Sequence, residues 1–173
     1  MNETLQTMLT RRSIRQYRPD PVPRELIDQI LQAGLYAPSA RGNQSTILLA
    51  VTNKDLRDRL SRMNAQVNGA QGDPFYGAPV VLVVLADRSL PNWQYDGPIV
   101  MENLMLAAHS LGLGSCWIHR AKEVFQSPEG QEILRTLGVT GDYEGVGHCV
   151  IGWPEGPAPE PRPRREGRIF HID

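Results

Sequence analysis

Arginine side chains are concentrated near the start of this 173-residue chain, in the run Arg11-Arg12-Ser13-Ile14-Arg15 with Arg18 just beyond it. Each guanidinium is permanently charged and presents a planar set of donors that matches phosphate oxygens two at a time. The Ser13 hydroxyl adds a short donor for the same oxygens. Because the whole chain has a net charge of only -1, this is a local concentration of positive charge. It indicates either a site for one compact anion, such as a ligand phosphate, or a solvated helix end.

A second arginine-rich segment lies near the other end of the chain, within the proline-rich stretch from Pro154 to Arg165. It carries Arg162, Arg164 and Arg165. Since proline fixes φ and removes a backbone donor, this stretch is not expected to form a helix or a central strand. We expect an extended arm over residues 154–173 that ends in an alternating strand at 169–172. Such an arm suggests that the strand pairs with the sheet of a partner subunit.

A polar loop at residues 37–45 joins a predicted helix to a predicted strand. Its seryl, asparaginyl and glutaminyl side chains and free backbone donors suit a ligand with many hydroxyls and ring heteroatoms. Its nine residues exceed the usual length of a helix–strand connection. The loop therefore indicates either a ligand-binding segment or an ordinary connection that happens to be long.

Two further loops, predicted at residues 69–77 and 87–97, carry aromatic side chains. These side chains either line a substrate pocket or anchor their own loops in the protein. The candidates for the substrate pocket are Phe75, Tyr76, Trp93 and Tyr95, together with Arg41 of the polar loop.

The elements that must position these residues follow from hydrophobic periodicity. We predict helices over residues 3–11, 23–35, 53–68, 98–111 and 129–137, and strands over residues 47–52, 80–86, 112–118 and 146–152. This alternation indicates a mixed sheet with helices on both faces. The length suits one domain over residues 1–173. The helix at 98–111 is apolar nearly all round, which favours burial against a second copy of the chain and hence a homodimer.

Composition excludes several other classes of protein. The longest apolar run, residues 78–86, is far too short to span a membrane. The near-neutral charge argues against a nucleic-acid partner. Four scattered histidines and two cysteines, Cys116 and Cys149, form no recognisable metal site, so no metal is expected. Both cysteines lie in apolar strands, and the first residues contain no apolar signal core. We therefore expect a cytoplasmic location.

Taken in order, these motifs resemble the FMN-dependent nitroreductase family over almost the whole chain. The segments that carry the resemblance are Arg11-Arg12-Ser13-Ile14-Arg15, Ala37-Pro38-Ser39-Ala40 with Gln44, Gly112-Leu113-Gly114-Ser115-Cys116-Trp117-Ile118, Ile151-Gly152 and Pro163-Arg164-Arg165. The resemblance implies an α+β homodimer with a nitroreductase-like sheet flanked by helices. It also implies FMN in a cleft between the subunits, and a C-terminal segment exchanged between them.

The resemblance also implies which residues bind the cofactor. The phosphate and the pyrimidine edge of the flavin are assigned to Arg11, Arg12, Ser13 and Arg15, and a second phosphate contact is assigned to Arg164, with Arg162 or Arg165. The cover over the flavin ring and ribityl chain, which comes from the other subunit, is assigned to Pro38, Ser39, Ala40 and Gln44. Asn64 is assigned to the pyrimidine edge or ribityl chain, and the N5 edge is assigned to backbone groups of Ile118, His119 and Arg120. The chain departs from the family at Gly42, where many relatives carry Asn, and at His119-Arg120, which is bulkier than the usual pair.

The activity that the resemblance implies is hydride transfer from NADH or NADPH to the flavin N5. Two electrons then pass to a nitro compound, a quinone or a similar small acceptor in a ping-pong scheme. Because the cofactor carries this chemistry, no side chain is assigned as a catalytic acid, base or nucleophile. A cation such as Arg15 beside the flavin would raise its reduction potential. The alternatives are another flavin reaction, such as reductive dehalogenation or flavin fragmentation, and a non-catalytic flavin-binding carrier or sensor.

Overall fold

The computed structural model describes residues 1–172, which form a four-stranded sheet flanked by helices; Asp173, the last residue of the predicted arm, lies outside the described residues. The helices are α1 (Glu3–Thr10), α2 (Arg24–Leu35), α3 (Lys54–Asn68), α4 (Trp93–Ser110), α5 (Ala121–Gln126) and α6 (Pro128–Thr136), with a 3₁₀ turn at Ala40–Gly42. The strands are β1 (Thr46–Val51), β2 (Val80–Asp87), β3 (Gly114–Ile118) and β4 (Tyr143–Gly152), in the order β1-β2-β4-β3.

Strand β2 lies inside the sheet and is buried on both faces. Successive side chains of a strand point to opposite faces, so its valines and leucines divide between two hydrophobic cores. Val81, Val83 and Leu85 pack in the core that α3, α5 and α6 cover, and Val80, Leu82 and Val84 pack in the core that α2 and α4 cover. This double burial explains the unbroken apolar run in the sequence, and it confirms helices on both faces of the sheet.

The predicted mixed sheet needs a correction, because β1, β2, β4 and β3 all pair antiparallel. A parallel pairing within the described residues occurs only at the isolated bridge between Ser13 and Ser115. An apolar strand with helices on either side of it in the sequence is typical of parallel sheets. Here the sheet is antiparallel and still covered on both faces, so the sequence pattern does not distinguish parallel from antiparallel strand pairing.

Element boundaries differ from the prediction in three places. Helix α4 begins at Trp93, so the last five residues of the predicted loop at 87–97 are helical and Pro98 lies inside the helix. Helix α5 was not predicted because its six residues are too few for a clear period. Residues 169–172 form no strand within the described chain, and Ile169, Phe170 and Ile172 are 78%, 83% and 97% exposed. A strand needs a sheet edge with which to pair, and this segment has not found one in its own chain.

Candidate functional site

The segment at residues 13–18 is bound to the sheet rather than to the helix that precedes it. The Ile14 amide donates to the Ser115 carbonyl at 2.9 Å, and the Tyr17 hydroxyl donates to the Ile14 carbonyl at 2.7 Å. Gly114 permits this close approach, because a Cβ there would lie 2.9 Å from the Ile14 side chain. Burial raises the pKa of the Tyr17 phenol, so Tyr17 remains a neutral donor. The arginine run is therefore fixed against the first residues of β3.

The same segment is also bound to the beginning of the C-terminal arm. The Arg18 amide donates to the Trp153 carbonyl at 2.9 Å, and the Glu155 amide donates to the Gln16 carbonyl at 3.0 Å. Since β3 and β4 are neighbours in the sheet, the chain leaves β4 beside the arginine run. The two arginine-rich segments therefore meet although they lie at opposite ends of the sequence.

Arginines from both segments line one cleft of about 590 Å³, which we call the arginine cleft. Its lining consists of Arg11, Arg12, Ser13, Arg15, Pro159, Glu160, Pro161, Arg162 and Arg164. Arg165, the third predicted candidate on the arm, is not in that lining. The Arg11 Nε is buried without a hydrogen bond among residues 1–172, and the Glu102 carboxylate is 3.7 Å from it. Five arginines and one acidic residue, Glu160, line the cleft, so positive charge is in excess there. This set of donors suits a phosphate.

Two further clefts continue from the arginine cleft. A cleft of about 310 Å³, the middle cleft, shares Ser13 and Arg15 with it. A cleft of about 720 Å³, the large cleft, shares Tyr76 with the middle cleft. The large cleft is lined by Trp93, Trp117, Ile118, His119 and Arg120, among others. The three clefts are therefore neighbours, and they follow one track from the arginines to the residues predicted at the N5 edge.

Cations at the rim of the large cleft are already paired. The Arg120 guanidinium lies 3.0 Å from the Glu123 carboxylate, and the Lys122 ammonium lies 3.1 Å from the Glu144 carboxylate. Hydrogen bonding to its own backbone amide and to Arg120 lowers the pKa of Glu123. The cleft therefore presents aromatic and apolar surface between neutralised charges, which suits a flat ligand with little net charge.

Asn64 lies behind the large cleft and does not line it, contrary to the predicted contact with the cofactor. It is fully buried, and its amide nitrogen donates to the His119 carbonyl at 2.6 Å. Its Oδ1 has no hydrogen-bond partner in the described part of the chain. Asn64 faces inward because α3 packs its polar side chain against the turn after β3. It therefore supports the backbone at His119, which does line the cleft.

The polar loop is anchored by a residue that the sequence analysis missed. Asp96 is buried in the first turns of α4, and its carboxylate accepts hydrogen bonds from the Ala40 amide at 2.9 Å and the Ser45 hydroxyl at 2.7 Å. Arg41 and Gln44 have positive φ values of 55° and 49°. Such conformations cost free energy for a residue with a Cβ and persist only where the surroundings impose them. A carboxylate near the start of a helix was the available signal, but Asp96 fell in a predicted loop.

The predicted residues of this loop do not line the three clefts. Pro38, Arg41 and Gln44 are exposed to solvent, and Ser39 and Ala40 are partly buried. The Ser39 hydroxyl accepts a hydrogen bond from the Gln44 amide at 2.9 Å, which closes the loop on itself. Within one chain the loop and the arginine cleft are therefore separate surfaces.

The four aromatic candidates for the substrate pocket have different outcomes. Tyr76 and Trp93 line the large cleft. Tyr95 is 65% exposed on α4 and is not part of that lining. Phe75 is fully buried, with its ring centroid 5.1 Å from that of His148, so its assignment to a pocket was wrong. Phe75 turns inward because the loop around it is closed by hydrogen bonds to Asp73.

Comparison with known proteins places the chain in a family. The family model for the Nitroreductase family matches residues 8–153. A protein from Archaeoglobus fulgidus is 34% identical over 161 residues, which is 90% of this chain and 87% of that protein. A Methanothermobacter thermautotrophicus protein is 37% identical over 119 residues, covering 66% of this chain but only 60% of that protein. The chain belongs to the Nitroreductase family.

Other relatives have more specific names. The NADPH-flavin oxidoreductase of Vibrio harveyi is 30% identical over 192 residues, which cover 98% of this chain and 72% of that protein. The crystal structure of a Bacteroides fragilis nitroreductase with bound FMN has a TM-score of 0.88 at 28% identity, and the match covers 100% of both chains. The fold of this chain is thus the nitroreductase fold, and its helices and antiparallel sheet confirm the predicted α+β class.

Residues 1–172 contain neither a cluster of metal-binding side chains nor a helix suited to a membrane. Nowhere in this range do three or more His, Cys, Asp or Glu side chains gather closely enough to hold a metal ion. None of the helices described here combines the length and the apolar character that crossing a bilayer requires.

Proposed function

We propose that this protein is an FMN-dependent oxidoreductase that uses NADH or NADPH to reduce a small acceptor such as a quinone or a nitro compound. The observation that carries the proposal is the arginine cleft, which is lined by arginines from both ends of the chain. Membership of the Nitroreductase family and the flavin-related names of relatives support it. When bound, FMN supplies transfer of hydride and electrons between the nicotinamide and the acceptor.

The residues present fit the chemistry of FMN. Arg11, Arg12, Arg162 and Arg164, with the Ser13 hydroxyl, offer the charged and neutral donors that a phosphate dianion requires. Along the track, Arg15 provides a cation in the middle cleft. The backbone of residues 118–120, supported by Asn64, lines the large cleft.

The side chains of the large cleft would bind and orient the acceptor rather than transfer protons to it. Trp93, Trp117 and Tyr76 supply aromatic surface for a planar molecule. The Arg120–Glu123 and Lys122–Glu144 pairs leave little net charge at the rim. We infer that uncharged planar acceptors are preferred to highly charged ones.

We further propose that the working unit is a homodimer. Helix α1 has no buried residue, and its apolar side chains Leu5, Met8 and Leu9 are about half exposed. The arm is exposed throughout residues 155–172, and its apolar end has no partner strand in the described chain. These surfaces are expected to pack against a second copy. In that assembly the Pro38–Gln44 loop of one subunit would cover the cofactor held by the other.

The colour and redox behaviour of the purified protein test the proposal. We expect a yellow protein that bleaches under anaerobic NADH or NADPH and recovers its colour when a quinone is added. A yellow protein that is indifferent to both nicotinamides would instead support the carrier or sensor alternative. A colourless protein that takes up no added FMN contradicts both. Parallel lines in double-reciprocal plots at several acceptor concentrations would support the ping-pong scheme.

A further inference from the structure

A single carboxylate closes the loop between α3 and β2. Asp73 accepts hydrogen bonds from the Arg57 guanidinium at 2.6 Å, the Ser61 hydroxyl at 2.5 Å, and the amides of Phe75 and Gly77 at 2.9 and 2.6 Å. Partial burial alone would raise the pKa of Asp73, but these hydrogen bonds outweigh it and lower the pKa to about 2. The carboxylate is therefore ionised at any ordinary pH.

Arg57 connects this carboxylate to the sheet. Its side chain is buried, its Nε donates to the Ala78 carbonyl at 2.9 Å, and its guanidinium lies 5.4 Å from the centre of the Phe75 ring. Ala78 comes two residues before β2 begins. The Arg57 guanidinium is buried and the Asp73 carboxylate is partly buried, so removing either partner of this pair costs free energy. These contacts hold the loop at both ends.

Tyr76 lies between the two amides that Asp73 binds. Its φ is +55°, a conformation that is rare for an aromatic residue. Tyr76 is 41% exposed, and the centre of its ring lies 5.9 Å from the guanidinium carbon of Arg15. Tyr76 is also the residue that the middle and large clefts share. A strained aromatic residue is thus held where the cation of the proposed cofactor site meets the space proposed for the acceptor.

We propose that Tyr76 determines acceptor specificity by forming the wall between the middle and large clefts, and that Asp73 is the residue that positions it. The inference rests on the proposed function. A ring fixed at this wall offers a flat apolar face to a planar acceptor and limits how far the acceptor can extend towards Arg15. Tyr76 borders both the large cleft of about 720 Å³ and the middle cleft of about 310 Å³, so loss of its ring would remove the aromatic face that the two clefts share.

Steady-state kinetics with two quinones test the role of Tyr76. For Tyr76→Leu we expect the KM for 2-methyl-1,4-naphthoquinone to rise about tenfold, while kcat stays within about threefold. The smaller 1,4-benzoquinone should be affected more than the naphthoquinone, because a large cleft without the Tyr76 ring confines it less. Tyr76→Phe, which keeps the ring, should behave as wild type. Unchanged KM values in Tyr76→Leu would overturn the inference.

A double-mutant comparison tests the positioning role of Asp73. Asp73→Asn should raise both KM values in the wild-type background and have no further effect in the Tyr76→Leu background. If it raises KM equally in both, its role is merely structural and the inference fails. Ser61→Ala removes one of the four hydrogen bonds and provides the same comparison should Asp73→Asn not fold. Asp28→Asn, which removes the negative charge from an exposed pair with Arg24 on α2, is the control and should change neither KM.

A binding measurement on FMN-free protein separates this inference from the proposed function. Trp93 and Trp117 line the large cleft, so quenching of their fluorescence reports naphthoquinone binding. Tyr76→Leu and Asp73→Asn should each weaken this binding about tenfold, and equal affinity in wild type and both variants would overturn the inference. Failure of the wild type to bind FMN overturns the proposed function instead.

Discussion

Replacing Arg164 with alanine should weaken FMN binding by roughly ten- to a hundredfold. Arg164 lines the arginine cleft together with Arg11, Arg12, Arg15 and Arg162. A hydrogen bond to a charged group contributes about 1.5–3 kcal/mol. Since about 1.4 kcal/mol corresponds to a tenfold change in Kd, the loss of one such contact gives this range. The arm is exposed and packs into neither core, so the Tm of the FMN-free protein should not change.

Titration of FMN into the apo protein, followed by flavin fluorescence, measures the effect directly. Riboflavin, which lacks the phosphate, serves as a second ligand, and its affinity should be the same in Arg164→Ala and wild type. Arg168→Ala removes the same charge from the arm outside the arginine cleft and should change FMN affinity less than threefold at about 0.15 M salt, where distant charges are screened. Arg165→Ala should resemble Arg168→Ala, because Arg165 does not line the cleft.

Two results would refute this reasoning. Equal weakening of FMN and riboflavin by Arg164→Ala would show that Arg164 does not act on the phosphate. Equal weakening of FMN by the Arg164, Arg165 and Arg168 variants would show that the arm contributes only its total charge.

Three other predictions concern the potential, the loop and the core. Arg15→Ala should lower the midpoint potential of bound FMN while the flavin stays bound; an unchanged potential in a spectroelectrochemical titration excludes the electrostatic role. Asp96→Asn should leave the Ser45 hydroxyl or the Ala40 amide without its acceptor and lower the free energy of unfolding in urea by about 1–3 kcal/mol. It should also weaken FMN binding, whereas an unchanged affinity for FMN would show that the loop at residues 37–45 does not contribute to cofactor binding. Burial lowers the pKa of His148 from 6.5 to about 4, so only the unfolded chain gains a proton between these values. Stability should therefore fall by about 2 kcal/mol between pH 6.5 and 5, and His148→Leu should remove this part of the pH dependence.

The chemistry of each side chain and the local secondary structure could be predicted from the sequence. The first depends on the residue itself, and the second depends mainly on residues close to it in the chain. A guanidinium is charged wherever the chain carries it, so the two arginine segments could be recognised as candidates for binding an anion. The apolar period placed α1, α2 and α3 within a residue or two of their positions in the structure. Asn53 before α3 is a good helix cap by composition, and its side chain does accept a hydrogen bond from the Leu56 amide.

Tertiary structure alone decided which of these candidates meet. The arginine segments converge because β3 pairs with β4 and because Gly114 lets the backbone at Ile14 approach, and neither fact is a local property. Phe75 and Tyr76 are adjacent aromatic residues with the same apparent role in the sequence. Hydrogen bonds from Arg57 and Ser61 on another element to Asp73 bury the first ring and turn the second towards the clefts. Such choices depend on partners distant in the sequence, so composition and periodicity cannot determine them.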